Sequence, residues 1–389
     1  MLVLVLIGCA AKIHELYDAS RTYALEDANP PSEQWRPDGA LHISGSLVSD
    51  LLGGSLDAAF SEVEPIDVGI GTVTPALTVK QLEIIERDCD DCFGVRGKLR
   101  GNAAIDVGPI ETEVPLSLKL EATLRLRSIA EGDAERVEFR VAKVTKARVR
   151  LGDELALDAT PALEEWGEDL VSKIPPIVLG NLGGGDLPLR GLKLVQVDGG
   201  VRAEFLTEAA HGEPLVELGA MPAEGIEVVI SEETLLDFAR KGAFEKGEIQ
   251  LDVHAEPTSL DVDGDRFELG LRLWRLTDRR PWWRDYVVTG ALTLEGGRLK
   301  LVAEDVEQVA SSPMAGVVDP LALVLQGAIL NSIEDAATQA FPVDQSMEIA
   351  GGLLIEASMD QAEGVGDALV VRGATSVSKV KKKKSKKKQ

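Results

Sequence analysis

The chain has 389 residues, of which 44% are hydrophobic, 27% charged and only 4% aromatic, and its net charge is −24. Eight lysines from residue 379 onward contribute +8 to that charge, so the residues before them carry −32. A body this acidic repels nucleic acid and anionic membrane over most of its surface, and we therefore expect no nucleic-acid partner. The length is sufficient for two domains.

The chain begins with an uncharged apolar run, MLVLVLIG, that is followed directly by Cys9. This string resembles the lipobox of bacterial lipoproteins, in which the apolar run is a secretory signal and the cysteine becomes the lipid-modified first residue of the mature chain. The resemblance implies a lipoprotein with a lipid such as palmitate on Cys9. It also implies a lipid anchor in the bacterial cell envelope, and we expect the outer membrane, facing the periplasm. The alternative is a short buried strand with an incidental cysteine.

The sequence around this apolar run adds two expectations. No basic region precedes the run, so we expect the true start codon to lie upstream. No other segment approaches the roughly 18 apolar residues that a membrane span needs, so lipid on Cys9 would be the only anchor. Residues 10–37 are polar, contain Pro30-Pro31 and predict a tether.

Two cysteines, Cys89 and Cys92, remain if Cys9 carries lipid. In an oxidising compartment, two leftover cysteines three residues apart usually pair, so we expect a structural disulfide at the tip of a hairpin. A thioredoxin-like redox pair and a zinc site are the alternatives. The neighbouring aspartates would raise the pKa of a redox thiol, and a zinc site needs two more ligands, whereas the four histidines are scattered along the chain.

Residues 38–206 predict a first α+β domain that opens with a helix and continues with long strands. Apolar residues at helical spacing predict the helix over residues 47–63. Strict alternation of apolar and polar residues over 114–126 predicts a long, half-buried strand. A break in the alternation of the next strand near Lys143 predicts a β-bulge.

The same order of elements occurs again in residues 225–373, after a linker at 207–224. Ser231 predicts an N-cap for the helix of this second copy, with Glu232 and Glu233 favourably placed in its first turn. Long strands follow, as in the first copy. Residues 374–389 are rich in lysine and predict a disordered tail.

Each copy is also predicted to end with a helix that starts at a proline and with a strand pair. In the first copy these are a helix from Thr160-Pro161 and a hairpin over 192–206. In the second copy they are a helix from Asp319-Pro320 and strands within 349–371. A repeat in the order of elements predicts two duplicated domains.

This order resembles that of the tubular lipid-binding superfamily, which includes bactericidal/permeability-increasing protein and several bacterial lipoproteins. The resemblance covers about residues 40–372 and implies an α+β fold with two tandem domains, each a long curved antiparallel sheet wrapped around a long helix. It further implies a lipid or other hydrophobic ligand in the apolar seam between sheet and helix, and no catalytic residues.

The residues predicted to line the seam are apolar positions of the long strands and of the helices that start at a proline. They are Leu116, Leu118, Leu120, Leu124, Leu126, Phe139, Leu163, Trp166, Leu170, Phe267, Leu269, Leu271, Leu273, Leu325 and Ile329. Each methylene of a lipid tail buried there would gain about 0.8 kcal/mol. The alternative is a filled core, in which these side chains pack only against one another and the helix.

Sequence motifs for catalysis, cofactors or metals are missing from the chain. There is no nucleophile elbow, no phosphate-binding glycine loop and no histidine cluster at metal spacing. Residues 261–265 resemble the start of a calcium loop, but the glycine and the closing glutamate are not at the required positions, so Asp263-Gly264 is better interpreted as a hairpin turn. We expect neither an enzyme nor a resident cofactor or metal.

Residues 273–286 concentrate tryptophan and arginine in a chain that is poor in aromatic residues. Tryptophan at headgroup depth and arginine on lipid phosphate suit a membrane interface. The residues predicted for such docking, at an exposed loop, are Trp274, Trp282, Trp283, Arg279, Arg280 and Arg284. The alternative is a loop folded back, with tryptophan packed under arginine through cation–π contacts.

The lysine tail has two interpretations as well. It attracts anionic lipid, at about 1 kcal/mol for each lysine near such a surface, or it is a solvated segment that aids solubility. The leading hypothesis is an envelope lipoprotein that holds or passes a lipid. The alternative is a structural or interaction lipoprotein of the envelope with solid cores and no ligand.

Overall fold

The fold is α+β, as predicted, with long antiparallel strands and three helices among the described residues. The computed structural model describes residues 2–27, 34–61, 66–67, 72–85, 87, 89, 92–107, 110–131, 134–152, 155–158, 176–183, 189–197, 200–217, 219, 221–250, 252–278, 280–295, 298–312, 344–349 and 353–379. Both predicted helices that start at a proline, from Thr160 and from Asp319, lie outside these residues. The helices are α1 (Leu2–Ala24), α2 (Gly45–Ser61) and α3 (Glu232–Lys246).

The first sheet is a meander of strands in chain order, with one further strand, β8, beside the start of β6. Its strands are β2 (Ile66–Asp67), β3 (Thr72–Ile85), β4 (Cys92–Val107), β5 (Ile110–Glu131), β6 (Ala134–Leu151), β7 (Leu155–Asp158) and β8 (Ile177–Gly183).

The alternating residues 114–126 lie in the middle of β5, which is 22 residues long. The predicted bulge in β6 is confirmed. The register between β5 and β6 shifts twice, so that Thr145 and Ala142 are skipped on either side of Lys143. An extra residue bends a strand and increases its twist.

The second sheet is also a meander in chain order, β12-β13-β14-β15-β16. Its strands are β12 (Glu248–Gln250), β13 (Val253–Asp263), β14 (Arg266–Arg275), β15 (Trp282–Glu295) and β16 (Arg298–Ser311). The predicted turn Asp263-Gly264 connects β13 and β14, and Gly264 has a φ of 58°, which favours glycine.

The central sheet takes strands from both halves of the chain, in the order β17-β18-β19-β11-β1-β10-β9. The first half supplies β1 (Gly39–Ser44), β9 (Leu189–Val197) and β10 (Gly200–Thr207), and the second half supplies β11 (Ile226–Ser231), β17 (Asp344–Ile349), β18 (Leu353–Val365) and β19 (Ala368–Lys379). Strands β1 and β11 are antiparallel neighbours, and each has the last strand of its own half on its other side. In this sheet the order of strands is therefore symmetric about the β1–β11 pair.

In both halves the opening helix and the long strands occur in the predicted order, while the helices that start at a proline lie outside the described residues. The arrangement differs from a chain of two separate sheets. The strand pairs predicted to close each copy join one sheet, because β1 and β11 hydrogen-bond to each other. The predicted lysine-rich tail also starts later than expected. Residues 374–379 belong to β19, where they pair with β18, so disorder from residue 374 is wrong for this part of the tail.

Helix α2 fills the space between the first sheet and the central sheet. Its buried leucines and Val48 pack on Leu124, Leu126 and Phe139 of the first sheet and on Val201 of the central sheet. The rings of Phe93 and Phe139 meet edge to face, with centroids 4.9 Å apart, which is a favourable aromatic geometry. This core closes one end of the first sheet.

Helix α3 begins as the sequence predicts. The Ser231 side chain accepts a hydrogen bond from the Thr234 backbone N–H at 3.2 Å, and two glutamates occupy the first turn. Leu236 and Phe244 of this helix are buried.

Helix α1 occupies most of the segment that was predicted to be signal and tether. Its residues Ile13, Tyr17 and Ala24 are buried against Phe244 of α3 and Trp274 of β14. The prediction of a tether over residues 10–37 is therefore wrong for residues 13–24, because one face of this segment covers an aromatic cluster on the body. None of the helices among the described residues is long and apolar enough to cross a membrane.

Candidate functional site

The predicted seam of the second half is a closed core. Phe267, Leu269, Leu271 and Leu273 on β14 are each only 2–3% exposed. They pack with residues of β13 and β15 and, across the space between sheets, with apolar residues of the central sheet. The predicted seam residues Leu325 and Ile329 lie outside the described residues. Over the described part of this half, the filled-core alternative is the better description.

Among the described residues, the predicted seam of the first half is closed only at one end. Leu124 and Leu126 are 4–5% exposed under α2, together with Phe139. Further along the same face of β5, a band of three leucines is only half-buried. We call Leu116, Leu118 and Leu120 the leucine band. The predicted helix residues Leu163, Trp166 and Leu170 lie outside the described residues.

Neighbouring strands extend the leucine band across the first sheet. Leu118 lies opposite Leu99 of β4 and Val149 of β6, and Leu120 lies opposite Gly97 and Ala147. Leu99 and Ala147 are buried while Val149 is half-buried, so the half-buried apolar surface lies along β5 and continues on β6 at Val149. The surface is an elongated apolar strip on the inner face of the sheet.

The outer face of the same sheet is charged. Arg96 donates to Glu121 at 3.1 Å and to Glu83 at 3.3 Å, and Lys146 lies 3.4 Å from Glu121. Hydrogen bonding to Arg96 holds the pKa of Glu121 below its ordinary value. Along each strand, residues that point to the apolar strip alternate with residues that point to the charged face, as expected of a sheet with one face in water.

Cys89 and Cys92 form the predicted disulfide, with Cα atoms 5.6 Å apart. The bond lies at the turn between β3 and β4, next to the end of the sheet that α2 closes. It is therefore a structural bond of the hairpin tip, distant in sequence and along the strand from the leucine band. Among the described residues no group of His, Cys, Asp and Glu could hold a metal ion.

The tryptophan and arginine residues of 273–286 do not form an exposed docking loop. Trp274 is 1% exposed and Trp282 is 7% exposed, and Arg284 is also buried. Trp283 is half-buried, Arg280 is exposed, and Arg279 lies outside the described residues. The prediction of membrane docking is wrong for Trp274, Trp282 and Arg284.

Cation–π and hydrogen-bond contacts explain this burial. The Arg272 guanidinium lies 4.8 Å from the ring centroid of Trp283 and 5.3 Å from that of Trp274, and Arg284 lies 4.8 Å from Trp282. Trp274 Nε1 donates to Glu256 Oε2 at 2.7 Å. Trp282 and Trp283 begin β15, so strand alternation sends their rings to opposite faces of the second sheet.

A row of charged residues crosses the outer face of the central sheet where the two halves meet. His42 of β1, Glu227 of β11 and Arg372 of β19 are direct cross-strand neighbours, and we call them the junction row. His42 Nδ1 and Glu227 Oε1 are 2.9 Å apart, and Arg372 Nε donates to Glu227 Oε2 at 2.6 Å. Burial alone would raise the pKa of Glu227, but the hydrogen bonds from His42 and Arg372 hold it below its ordinary value. No local pattern in the sequence indicates this row, because its members are far apart in the chain.

The linker between the halves lies over this outer face. Leu215 packs on Val229 and Val370, and its backbone N–H donates to the Pro37 carbonyl at 2.9 Å. Between the linker and strands β11 and β19 is a cavity of about 760 Å³. Glu232, at the start of α3, lines it, and burial raises the pKa of Glu232 to about 7.

Wild type is expected to become less stable as the pH rises, because the buried Glu232 must ionise, and Glu232→Gln should not show this decrease. The folded protein keeps the Glu232 proton up to about pH 7, whereas the unfolded chain releases it near its ordinary pKa of 4.5. The free energy of unfolding should therefore fall between these two values. Urea denaturation should show the variant more stable than wild type by about 1–3 kcal/mol at pH 8 and similar to it at pH 4. Glu233→Gln, the exposed neighbour, is the control, and identical pH profiles for wild type and Glu232→Gln would contradict the prediction.

Comparisons with known proteins give structural likeness without sequence relationship. The chain is similar to P47 of Clostridium botulinum E1, with 10% identity, coverage of 87% of this chain and 99% of that chain, and a TM-score of 0.44. It is similar to a lipopolysaccharide binding protein, with 11% identity over 89% of this chain and 100% of that chain and a TM-score of 0.38. P47 from Clostridium botulinum A2 is 10% identical over 87% of this chain and 97% of that chain, with a TM-score of 0.39.

No family model and no curated protein matches the chain. At these identities, and with TM-scores below 0.5, the structural likenesses assign neither a family nor a ligand. The α+β class depends on the strands and helices of the chain itself.

Proposed function

We propose that the protein binds a lipid or another elongated apolar ligand along the leucine band, between the inner face of the first sheet and solvent. The observation that carries this proposal is the change in burial along one face of β5. Leu124 and Leu126 are buried by α2, while Leu116, Leu118 and Leu120 are half-buried on the same face. An apolar strip of this shape matches an acyl chain, and burying each methylene contributes about 0.8 kcal/mol.

Binding without catalysis fits the chemistry of this strip. The side chains of the leucine band and of Leu99 and Val149 offer only hydrocarbon, which can hold a ligand but cannot activate one. We infer a carrier or holder of lipid rather than an enzyme.

We further propose that the protein is a lipoprotein of the bacterial envelope, anchored through lipid on Cys9 at the outer membrane and facing the periplasm. The apolar run before Cys9 and the disulfide between Cys89 and Cys92, which an oxidising compartment favours, support this location. Lysines beyond residue 379 would add attraction to anionic lipid. Cys9→Ser in an exported chain should abolish labelling by a fatty acid and shift the protein to the soluble fraction. Unchanged partitioning would contradict the anchor.

Leu120→Trp is expected to displace ligand from the leucine band with only a modest loss of stability, about 1–3 kcal/mol, because Leu120 is half-buried and a larger ring can extend toward solvent. Native mass spectrometry of the chain without residues 1–9 would measure bound lipid, and titration with a fluorescent fatty-acid analogue would measure affinity. We expect wild type to carry ligand and Leu120→Trp to lose most of it.

The matched control introduces the same ring one residue away. Lys119 lies on the same strand and is exposed on the outer face, so Lys119→Trp should leave ligand binding unchanged. If wild type carries no lipid and Leu120→Trp unfolds the first half, the strip is part of a filled core. That result would favour the alternative function, a structural or interaction lipoprotein with solid cores, with which the closed core among the described residues of the second half agrees.

A further inference from the structure

We propose that the end of the second sheet that carries the β14–β15 turn faces the membrane, because α1 fixes the anchor point rigidly beside it. This inference rests on the proposed lipid anchor at Cys9. It adds an orientation, since a flexible tether would leave the body free to turn, whereas a docked helix presents one end of the body to the bilayer.

The contacts of Tyr17 hold α1 against the body. Its ring centroid lies 5.0 Å from that of His254, 5.6 Å from that of Phe244 and 5.9 Å from that of Trp274. The Tyr17 hydroxyl and His254 Nδ1 are 3.1 Å apart. These partners belong to α3, β13 and β14, so one buried side chain ties the helix to three elements.

Residues of α1 other than Tyr17 also contact the body, so the helix is held along its length and not at one residue. Tyr23 stacks on His211 with ring centroids 3.6 Å apart, and the guanidinium of Arg240 lies 5.8 Å from the same ring. Ile13 and Ala24 are buried in the cluster that includes Tyr17. The docked face therefore extends from residue 13 to residue 24.

The order of these contacts gives the direction of the helix. Tyr23 meets Arg240 in the middle of α3, and Tyr17 meets Phe244 near its C-terminal end. Helix α1 thus runs antiparallel to α3, and its N-terminus points past Lys246, the last residue of α3. Cys9 is one helical turn beyond Ile13, which is about 6 Å along the axis.

The turns at this end of the second sheet lie beside that path. Leu276, which follows β14, packs on the same aromatic cluster and donates its backbone N–H to the Asp252 carbonyl at 3.0 Å. The exposed charged residues of this end include two cations, Lys246 and Arg280, and four carboxylates, Glu245, Glu248, Asp252 and Asp278.

A vesicle experiment tests the orientation without depending on lipidation in the cell. Residues 1–9 are replaced by a histidine tag in the otherwise full chain, which is bound to phosphatidylcholine vesicles that contain nickel-chelating lipid. Asp278→Cys and Asp265→Cys each provide one thiol for a fluorophore, since Cys89 and Cys92 are bonded to each other. These exposed positions lie at opposite ends of β14, whose ten residues span about 33 Å.

Quenching by nitroxide-labelled phosphatidylcholine reports how close each fluorophore is to the bilayer. We expect quenching at position 278 to be several-fold stronger than at position 265. Tyr17→Ala combined with Ile13→Ala should undock the N-terminal part of α1, which carries the attachment point, and make the two positions similar, while binding through the tag persists. Leu16→Ala is the matched control, because Leu16 is 43% exposed and does not belong to the buried cluster, so its loss should leave the difference intact.

Equal quenching at the two positions in the docked chain would overturn the proposed orientation, as would a difference that survives undocking. Near-ultraviolet circular dichroism of the undocked variant checks that the body remains folded. The anchor proposal fails separately, if the exported chain with its own N-terminus takes up no fatty acid on Cys9.

Discussion

Glu227→Ala is expected to lower the free energy of unfolding by about 3 kcal/mol. Glu227 is 3% exposed and is the only carboxylate of the junction row, where it accepts hydrogen bonds from two sides. Its removal leaves His42, which is 0% exposed, and the Arg372 guanidinium without their shared acceptor. Urea denaturation at pH 7, followed by tryptophan fluorescence and circular dichroism, would measure the loss.

The control for this prediction is Glu363→Ala. Glu363 also pairs with Arg372, but it is half-buried and lies at the rim of the row, so its loss should cost less than about 1 kcal/mol. Similar losses for the two variants would mean that the junction row adds nothing specific to the contact between the halves. Because the pKa of Glu227 is held below its ordinary value, its contribution is present above the ordinary pKa and is lost as the pH falls through the folded value.

Leu126→Ala is expected to destabilise the protein by about 3 kcal/mol, and Leu118→Ala by about 1 kcal/mol. The two substitutions remove the same atoms from the same face of the same strand. They differ in what surrounds the side chain, because Leu126 is buried under α2 while Leu118 belongs to the half-buried leucine band. The cost of a leucine-to-alanine change grows with the cavity that it leaves, and a half-buried site leaves less of one.

Denaturation of both variants with and without a fluorescent fatty-acid analogue would extend this comparison to the ligand. Ligand should stabilise wild type and Leu126→Ala by similar amounts, and Leu118→Ala by less, because only Leu118 lies in the proposed site. Equal costs of the two substitutions without ligand would show that the leucine band is covered as completely as the core.

Local features of the fold could be predicted because they depend on neighbouring residues alone. Alternation over residues 114–126 identified β5, since successive side chains of a strand must point to opposite faces. A break in that alternation near Lys143 identified the bulge in β6. Ser231 identified the start of α3, because its side chain can satisfy a backbone N–H two to three residues later. The spacing of Cys89 and Cys92 identified the disulfide.

Contacts between distant segments were decided only by the tertiary structure. His42 and Glu227 are 185 residues apart, and nothing local indicates that β1 and β11 pair to make one sheet from two halves. The segment around Tyr17 is polar enough in composition to predict a tether. It is a docked helix because Tyr17 packs on an aromatic cluster formed by distant residues. Alternation shows that a face is apolar but not what covers it. The same sequence pattern therefore occurs at three leucines with different surroundings in the fold. Leu126 lies under α2, Leu118 lies in the half-buried leucine band, and Leu271 lies in the closed core of the second half.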